Sequence, residues 1–290
     1  MDRLRMFSKW EQRATVRNAP RRVMTNIETK RFFSPRMSTL LQQPMVQAMS
    51  AQLLRKVEIQ LLYRYLQFTE YLETSIVNKT IVQIMNDELP ISLDQRLRDE
   101  AYKIYCDEAY HALQAHDTIA QLVELSGEQP MDLPIALRHR LPLLRKECPI
   151  HLLPLFDLFF VCISETLVSQ ELREHAEDDS LHPSIQAIME DHAKDEAIHA
   201  LFFEAVMIRL KEQLPKSDFN WFLEMIPAFL GAYLLPDEES WTAILSAYIE
   251  PEKLDEILAK SLAPALMQPF IKAASVQVYR IVARIEKANF

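Results

Sequence analysis

Two short stretches of this 290-residue chain carry metal-binding side chains at helical spacing. The first is His192-Ala193-Lys194-Asp195-Glu196-Ala197-Ile198-His199. At 3.6 residues per turn, positions i, i+4 and i+7 share a face, so His192, Glu196 and His199 point the same way. The second, Asp107-Glu108-Ala109-Tyr110-His111, repeats the pattern of Asp195 to His199. Two Glu-x-x-His pairs on separate helices are the ligand pattern of a dinuclear carboxylate centre inside a helical bundle.

Such a centre takes one further Glu from each of two other helices. Glu165 meets that need in the apolar run Val161-Cys162-Ile163-Ser164-Glu165-Thr166-Leu167, where a carboxylate is costly unless paired or metal-bound. In the helix upstream, Glu70 and Glu73 share a face and both remain candidates. Glu73 is preferred because Glu73-Thr74 echoes Glu165-Thr166. The expected set is Glu73, Glu108, His111, Glu165, His192, Glu196 and His199. Carboxylates with imidazoles suit iron, and manganese is compatible. Asp107 and Asp195 are natural acceptors for imidazole N–H groups. One Glu-x-x-His is common by chance; two copies, each preceded by Asp and accompanied by glutamates on the expected helices, are not. His116, His139, His151, His175 and His182 lack such company and read as solvated or capping residues. Cys106 faces away from the Glu108 side, Cys162 falls near the Glu165 face, and Tyr110 reads as packing or as a neighbour of the metals.

Long helices must carry these side chains, and the composition agrees. There are two glycines, Gly127 and Gly231, where sheets and hairpins would need more. The expectation is an all-α fold. Its first helix runs from Pro44 to about Asp87, and a second, opened by a Ser92-to-Gln95 capping box, runs to Gly127 as C′. Prolines between Glu128 and Pro154 predict loops and short pieces. A strongly apolar, central helix follows to Glu177, and the metal-motif helix starts at Pro183. Further helices are expected near 218–235, 241–249, 252–263 and 270–288, with Ser217 and Ser240 as N-caps and Pro227 kinking or splitting the first. No stretch has linker composition, so one domain over 1–290 is the economical reading.

A formal charge of −9 argues against nucleic acid as a main partner. The three cysteines, Cys106, Cys148 and Cys162, have no paired spacing, which suits a reducing, cytoplasmic setting. The N-terminus lacks an h-region. The apolar runs Leu152–Ile163 and Trp221–Leu235 are interrupted by Asp157 and Glu224, short of spanning length, so no membrane role is expected. Residues 1–43 form a basic arm holding Arg3, Arg5, Arg13, Arg17, Arg21, Arg22, Arg31 and Arg36. It reads as a solvated arm on the bundle, with a docking surface for an acidic partner as the alternative.

Over roughly residues 60–205 the pattern resembles the ferritin-like di-iron proteins: a four-helix bundle with a di-iron core, here with additional C-terminal helices. The extra histidine of His192-x-x-x-Glu196-x-x-His199 is narrower and resembles the p-aminobenzoate N-oxygenase (AurF-like) family. That resemblance implies His192 as a third histidine ligand, two iron ions, and O2 as co-substrate. The activity implied is oxidation of an amine to a hydroxylamine, nitroso or nitro product in secondary metabolism. A small-molecule or carrier-bound amine and an electron donor such as a reductase or ferredoxin would be the partners, and a homodimer is compatible. The same ligands would also suit a ribonucleotide-reductase-like radical-generating subunit or a non-catalytic iron-binding, ferroxidase protein.

Overall fold

The computed structural model describes residues 7–25 and 30–287, except the side chains of 169–171. Arg3 and Arg5 of the arm lie outside the described residues. The long elements are all helical: α1 (Ala51–Leu72), α2 (Asn78–Met85), α3 (Gln95–Ser126), α4 (Leu137–Lys146), α5 (Leu153–Ala176), α6 (Pro183–Gln213), α7 (Lys216–Leu234), α8 (Glu238–Ser246), α9 (Pro251–Ser261) and α10 (Pro264–Lys287). Among the described residues the only β pairing is an isolated parallel bridge between Arg31 and Leu181. The all-α expectation is met, in the architecture of a ferritin-like bundle.

The antiparallel pair α5 and α6 packs most extensively, α1 and α2 lie along α3, and α10 covers α5. Helix α5 is buried on nearly every side, with Leu155, Phe156, Leu158, Phe159, Phe160, Val161, Cys162 and Ile163 all in the core. Contrary to the sequence reading, Ile150–Ala176 is long and apolar enough to cross a membrane by length and composition. The apolar run continues past Glu165, and the bundle buries it, as in the central helix of many globular proteins.

Three helix starts differ from expectation. Asp94, not Ser92, caps α3 by accepting from Leu97 N–H at 3.0 Å, while Ser92 N–H donates to Gln213 Oε1. Asp237 caps α8 through Ser240 N–H, leaving Ser240 inside the first turn. Helix α7 starts at Pro215-Lys216 with no side-chain cap, and Ser217 bonds Asp218 instead. Pro227 does not split α7, and Pro142 and Pro269 also sit inside helices. The expected Pro44–Asp87 helix is three pieces: one turn at Pro44–Gln47, then α1, then α2, the last two joined by a π-helical turn at Glu73–Val77.

The arm is the largest departure. Phe7, Trp10, Ala14, Thr15, Met24, Phe32 and Phe33 are buried against the bundle, so the segment is an inner layer with a basic outer face. Helix α3 ends at Gly127 with φ +71°, and its N–H bonds Val123 O. A Cβ there would meet no atom within 4 Å, so backbone strain alone would decide a substitution. Gly127→Ala is expected to lower stability by about 1 kcal/mol, with Gly127→Asn costing less, as denaturant unfolding would show.

Candidate metal centre

Each expected ligand is carried by a bundle helix or its junction. Glu108 and His111 come from α3, Glu165 from α5, His192, Glu196 and His199 from α6, and Glu73 from the π-turn after α1. All seven are buried to 5% exposure or less. The π-turn distinguishes the two upstream candidates, since such single-turn bulges re-aim side chains within a helix. Glu73 is buried, and its Oε1 lies 3.9 Å from His192 Nε2. Glu70 is half-exposed beside His116 on the outside of the bundle.

Six of the seven side chains converge as two overlapping groups, Glu108–His111–His192–Glu196 and Glu108–Glu165–Glu196–His199, while Glu73 belongs to neither and reaches them through its 3.9 Å approach to His192. In each, one ligand atom per residue lies within 4.8 Å of the others. Glu108 and Glu196 belong to both, the arrangement expected of carboxylates that bridge two cations. His199 Nδ1 is 2.8 Å from Glu108 Oε1 and 3.3 Å from Glu196 Oε1. His192 Nε2 is 3.2 Å from Glu196 Oε1, and its ring lies 3.8 Å from that of His111, centroid to centroid.

Eight of these buried atoms make no hydrogen bond: Glu73 Oε2, Glu108 Oε1, both Glu165 oxygens, both Glu196 oxygens, His192 Nε2 and His199 Nδ1. Several sit close together, yet they aim past one another instead of along donor–acceptor lines. Unsatisfied buried polar atoms are costly, and here they share a common focus. Two divalent cations would satisfy them and balance the four glutamates, so the residues fit a dinuclear centre.

The electrostatics agree. Burial, then the neighbouring carboxylates, pushes Glu73 and Glu165 well above the usual carboxylate range. Burial also opposes ionisation of Glu108 and Glu196, but His199 and the other imidazoles overcome it and lower both. Burial works against charge on His111 too, yet Asp195 and Glu108 raise it to about 10. Carboxylates likewise hold His199 high against its burial. His192 differs: burial and the adjacent His111 lower it, leaving a neutral nitrogen.

The two motif helices brace each other. His199 Nε2 meets Asp107 Oδ2 at 3.2 Å and His111 Nε2 meets Asp195 Oδ2 at 3.2 Å, each carboxylate serving the imidazole of the opposite helix. With Nε2 turned to its aspartate, each ring presents Nδ1 to the carboxylate cluster, His111 Nδ1 2.8 Å from Glu108 Oε2 and His199 Nδ1 2.8 Å from Glu108 Oε1, and these are the nitrogens a metal would take. The arm completes the brace. Trp10 Nε1 donates to both oxygens of Asp107 at 3.0 and 2.8 Å, Thr15 donates its backbone N–H and hydroxyl to Asp195, and Phe7 stacks on His199. Sequence reasoning missed these residues, though Phe7, Trp10 and Ala14 at i, i+3 and i+7 were the available signal.

The other residues singled out earlier fall elsewhere. Cys106 is exposed; Cys162 is buried, and burial together with Glu165 raises its thiol far above the ordinary range. Tyr110 is half-buried and lines a cavity with Arg21, Arg22 and Gln114. His182 caps α6 by accepting from Ser184 N–H, as a capping role required. His175, expected to be solvated or capping, is instead buried between Phe33 and Tyr65, because the arm covers it.

A family model described as P-aminobenzoate N-oxygenase AurF matches residues 5–261, which extends the resemblance into the arm and the C-terminal helices. The chain belongs to this family of di-iron N-oxygenases, oxidoreductases that act on small molecules. No curated protein matches it.

Two outcomes test this geometry. Glu73, Glu165, His111 and His199 are all shifted towards their protonated forms, with which metal competes, so anaerobic Fe2+ loading at pH 7 is expected to release protons, and affinity to fall as pH is lowered. Loading with no proton release would contradict it. Thr15→Val is expected to speed metal loss to a chelator by about tenfold, and Thr15→Ser to restore retention.

Proposed function

With membership of that family as premise, we propose that Glu73, Glu108, His111, Glu165, His192, Glu196 and His199 hold two iron ions, in a centre that oxidises the amino group of an aromatic amine in secondary metabolism. The observation that carries this reading is the buried focus of unsatisfied carboxylate and imidazole atoms, with His192 as a third, neutral nitrogen beside His111. When bound, the iron ions supply activation of O2: one oxygen atom goes to the amine nitrogen, the other leaves as water at the expense of two electrons and two protons.

The chain's own residues set the conditions for that chemistry. Glu108 and Glu196, common to both clusters, would serve both ions, Glu73 beside His192 and Glu165 beside His199 would each add a carboxylate, and Asp107 and Asp195 would hold the imidazoles of the opposite helix in orientation. Phe7, Phe202 and Phe203 wall the His199 side and exclude water. A cavity of about 180 Å³ lies beside α1, lined in part by Phe33, Tyr65, Phe68, Tyr233 and Phe270. Apolar cavities of about 150 Å³ accept a single benzene ring, so this one suits a small arylamine. None of the seven candidate ligands lines the cavity; Phe68, on its wall, lies five residues before Glu73 in the chain. Arg64, Arg140 and Asp237 also line it and could orient a polar substituent, while oxygen transfer itself needs the free lone pair of a neutral amine. A reductase or ferredoxin would supply the electrons. Family membership favours this activity over radical generation or iron storage.

The test is to load the protein with Fe2+, reduce it, and mix it with O2 and a panel of arylamines in stopped flow, followed by product analysis. Hydroxylamine, nitroso or nitro products are expected; O2 consumption indifferent to every amine would overturn the reading. His192→Ala is expected to lower amine oxidation by about tenfold or more, and full retention would show that the third histidine does not tune the centre.

A further inference from the structure

The N-terminal segment has two faces, and they do different things. Its inner face reaches the centre through Trp10, whose indole N–H is bonded to Asp107, itself 3.2 Å from His199 Nε2. Its outer face is basic: from Phe7 to Thr25 there are Lys9, Arg13, Arg17, Arg21 and Arg22 against Glu11 alone, in a chain of net charge −9. Lys9 and Arg13 are exposed, and Arg17 lies 5.5 Å over the Trp10 ring while pairing with Glu11 at 2.7 Å. Trp10 itself is 8% exposed. Arg21 and Arg22 pair with Asp117 and Asp191 of the bundle, each at 2.7 Å, so the positive charge of this face is that of Lys9 and Arg13, which flank Trp10 at the outer end of a hydrogen-bonded route to a candidate metal ligand.

We propose that this face, centred on Trp10, is where an acidic one-electron carrier protein docks, with the Trp10 indole and the Asp107 carboxylate forming the electron path to His199. The proposal rests on the di-iron reading above, because a redox-inactive centre would need no donor. Patches of opposite charge steer encounter and fix orientation, and this one is set apart by its hydrogen-bonded connection to Asp107 and His199. Hydrogen-bonded contacts couple donor and acceptor better than a gap of the same length. Each encounter oxidises the carrier by one electron, and two encounters deliver the pair that is consumed with two protons as one oxygen atom becomes water. No bond in Trp10 or Asp107 forms or breaks.

The experiment uses the full iron-loaded chain with an acidic plant-type ferredoxin as donor, measuring binding by calorimetry and reduction by stopped flow. Lys9→Glu/Arg13→Glu is expected to weaken ferredoxin binding by about tenfold or more and to flatten its dependence on salt. Ferredoxin-driven reduction should slow in step, while reduction by dithionite changes by less than about twofold because a small ion needs no docking face. Trp10→Phe and Thr15→Val each remove one arm of the brace, so comparison per bound iron separates structure from path. Only Trp10→Phe should slow ferredoxin-driven reduction without weakening ferredoxin binding. Equal slowing in both variants overturns the path; absent binding by the wild type, or unchanged binding and reduction in the charge-reversed variant, overturns the docking face. Dithionite-reduced protein that oxidises no amine would overturn the N-oxygenase reading instead, a result distinct from any of these.

Discussion

The cost of placing four carboxylates inside an apolar bundle is the constraint from which the rest of this structure follows. An ionised carboxylate moved from water into a protein interior loses several kcal/mol of solvation even after relaxation. Glu73, Glu108, Glu165 and Glu196 lie together with almost no exposure, so the loss is compounded by mutual repulsion. No arginine or lysine is paired with any of them among the described residues. The imidazoles offset part of the cost for Glu108 and Glu196, whereas burial and the neighbouring carboxylates hold Glu73 and Glu165 well above the usual carboxylate range. Divalent cations remove the conflict. The bundle therefore stores an unfavourable arrangement that only binding resolves.

The surrounding apolar packing is what makes that storage affordable. Phe156, Phe159, Phe160, Phe202, Phe203, Phe222 and Phe229 are completely buried around α5, α6 and α7, and they fix the helices that carry Glu165 and the His192–His199 motif. The π-turn at Glu73–Val77 is the local departure from regular geometry, and it occurs where α1 must turn a carboxylate inwards.

Much of this was legible in the sequence because the relevant signals are local. Glu-x-x-His on a helix places its members by the 3.6-residue period alone, and Pro183, Gly127 and the scarcity of glycine set helix limits. The π-turn was not legible, since nothing in Glu73-Thr74-Ser75-Ile76-Val77 departs from an α-helical pattern. Caps were misplaced where two acceptors competed: Asp94 lay two residues beyond Ser92, and Asp237 three residues before Ser240. The arm was misread because its charge dominates its composition. Its buried side, Phe7, Trp10 and Thr15, is defined by contacts to Asp107, Asp195 and His199, roughly 90 to 190 positions away in the chain.

The crossed contacts Asp107–His199 and Asp195–His111 have a bearing on how the chain reaches this state. Each joins α3 to α6, and the two run in opposite senses between the same pair of short motifs. Sliding one helix along the other by a single residue would misalign both at once, so they act as a key for register. A bundle of smooth apolar faces tolerates near-degenerate alignments that differ little in buried area. Here those alignments are penalised by stranded carboxylates. The acidic centre thereby selects one topology from its neighbours, and assembly errors should surface as a failure to take up metal before any loss of helix content.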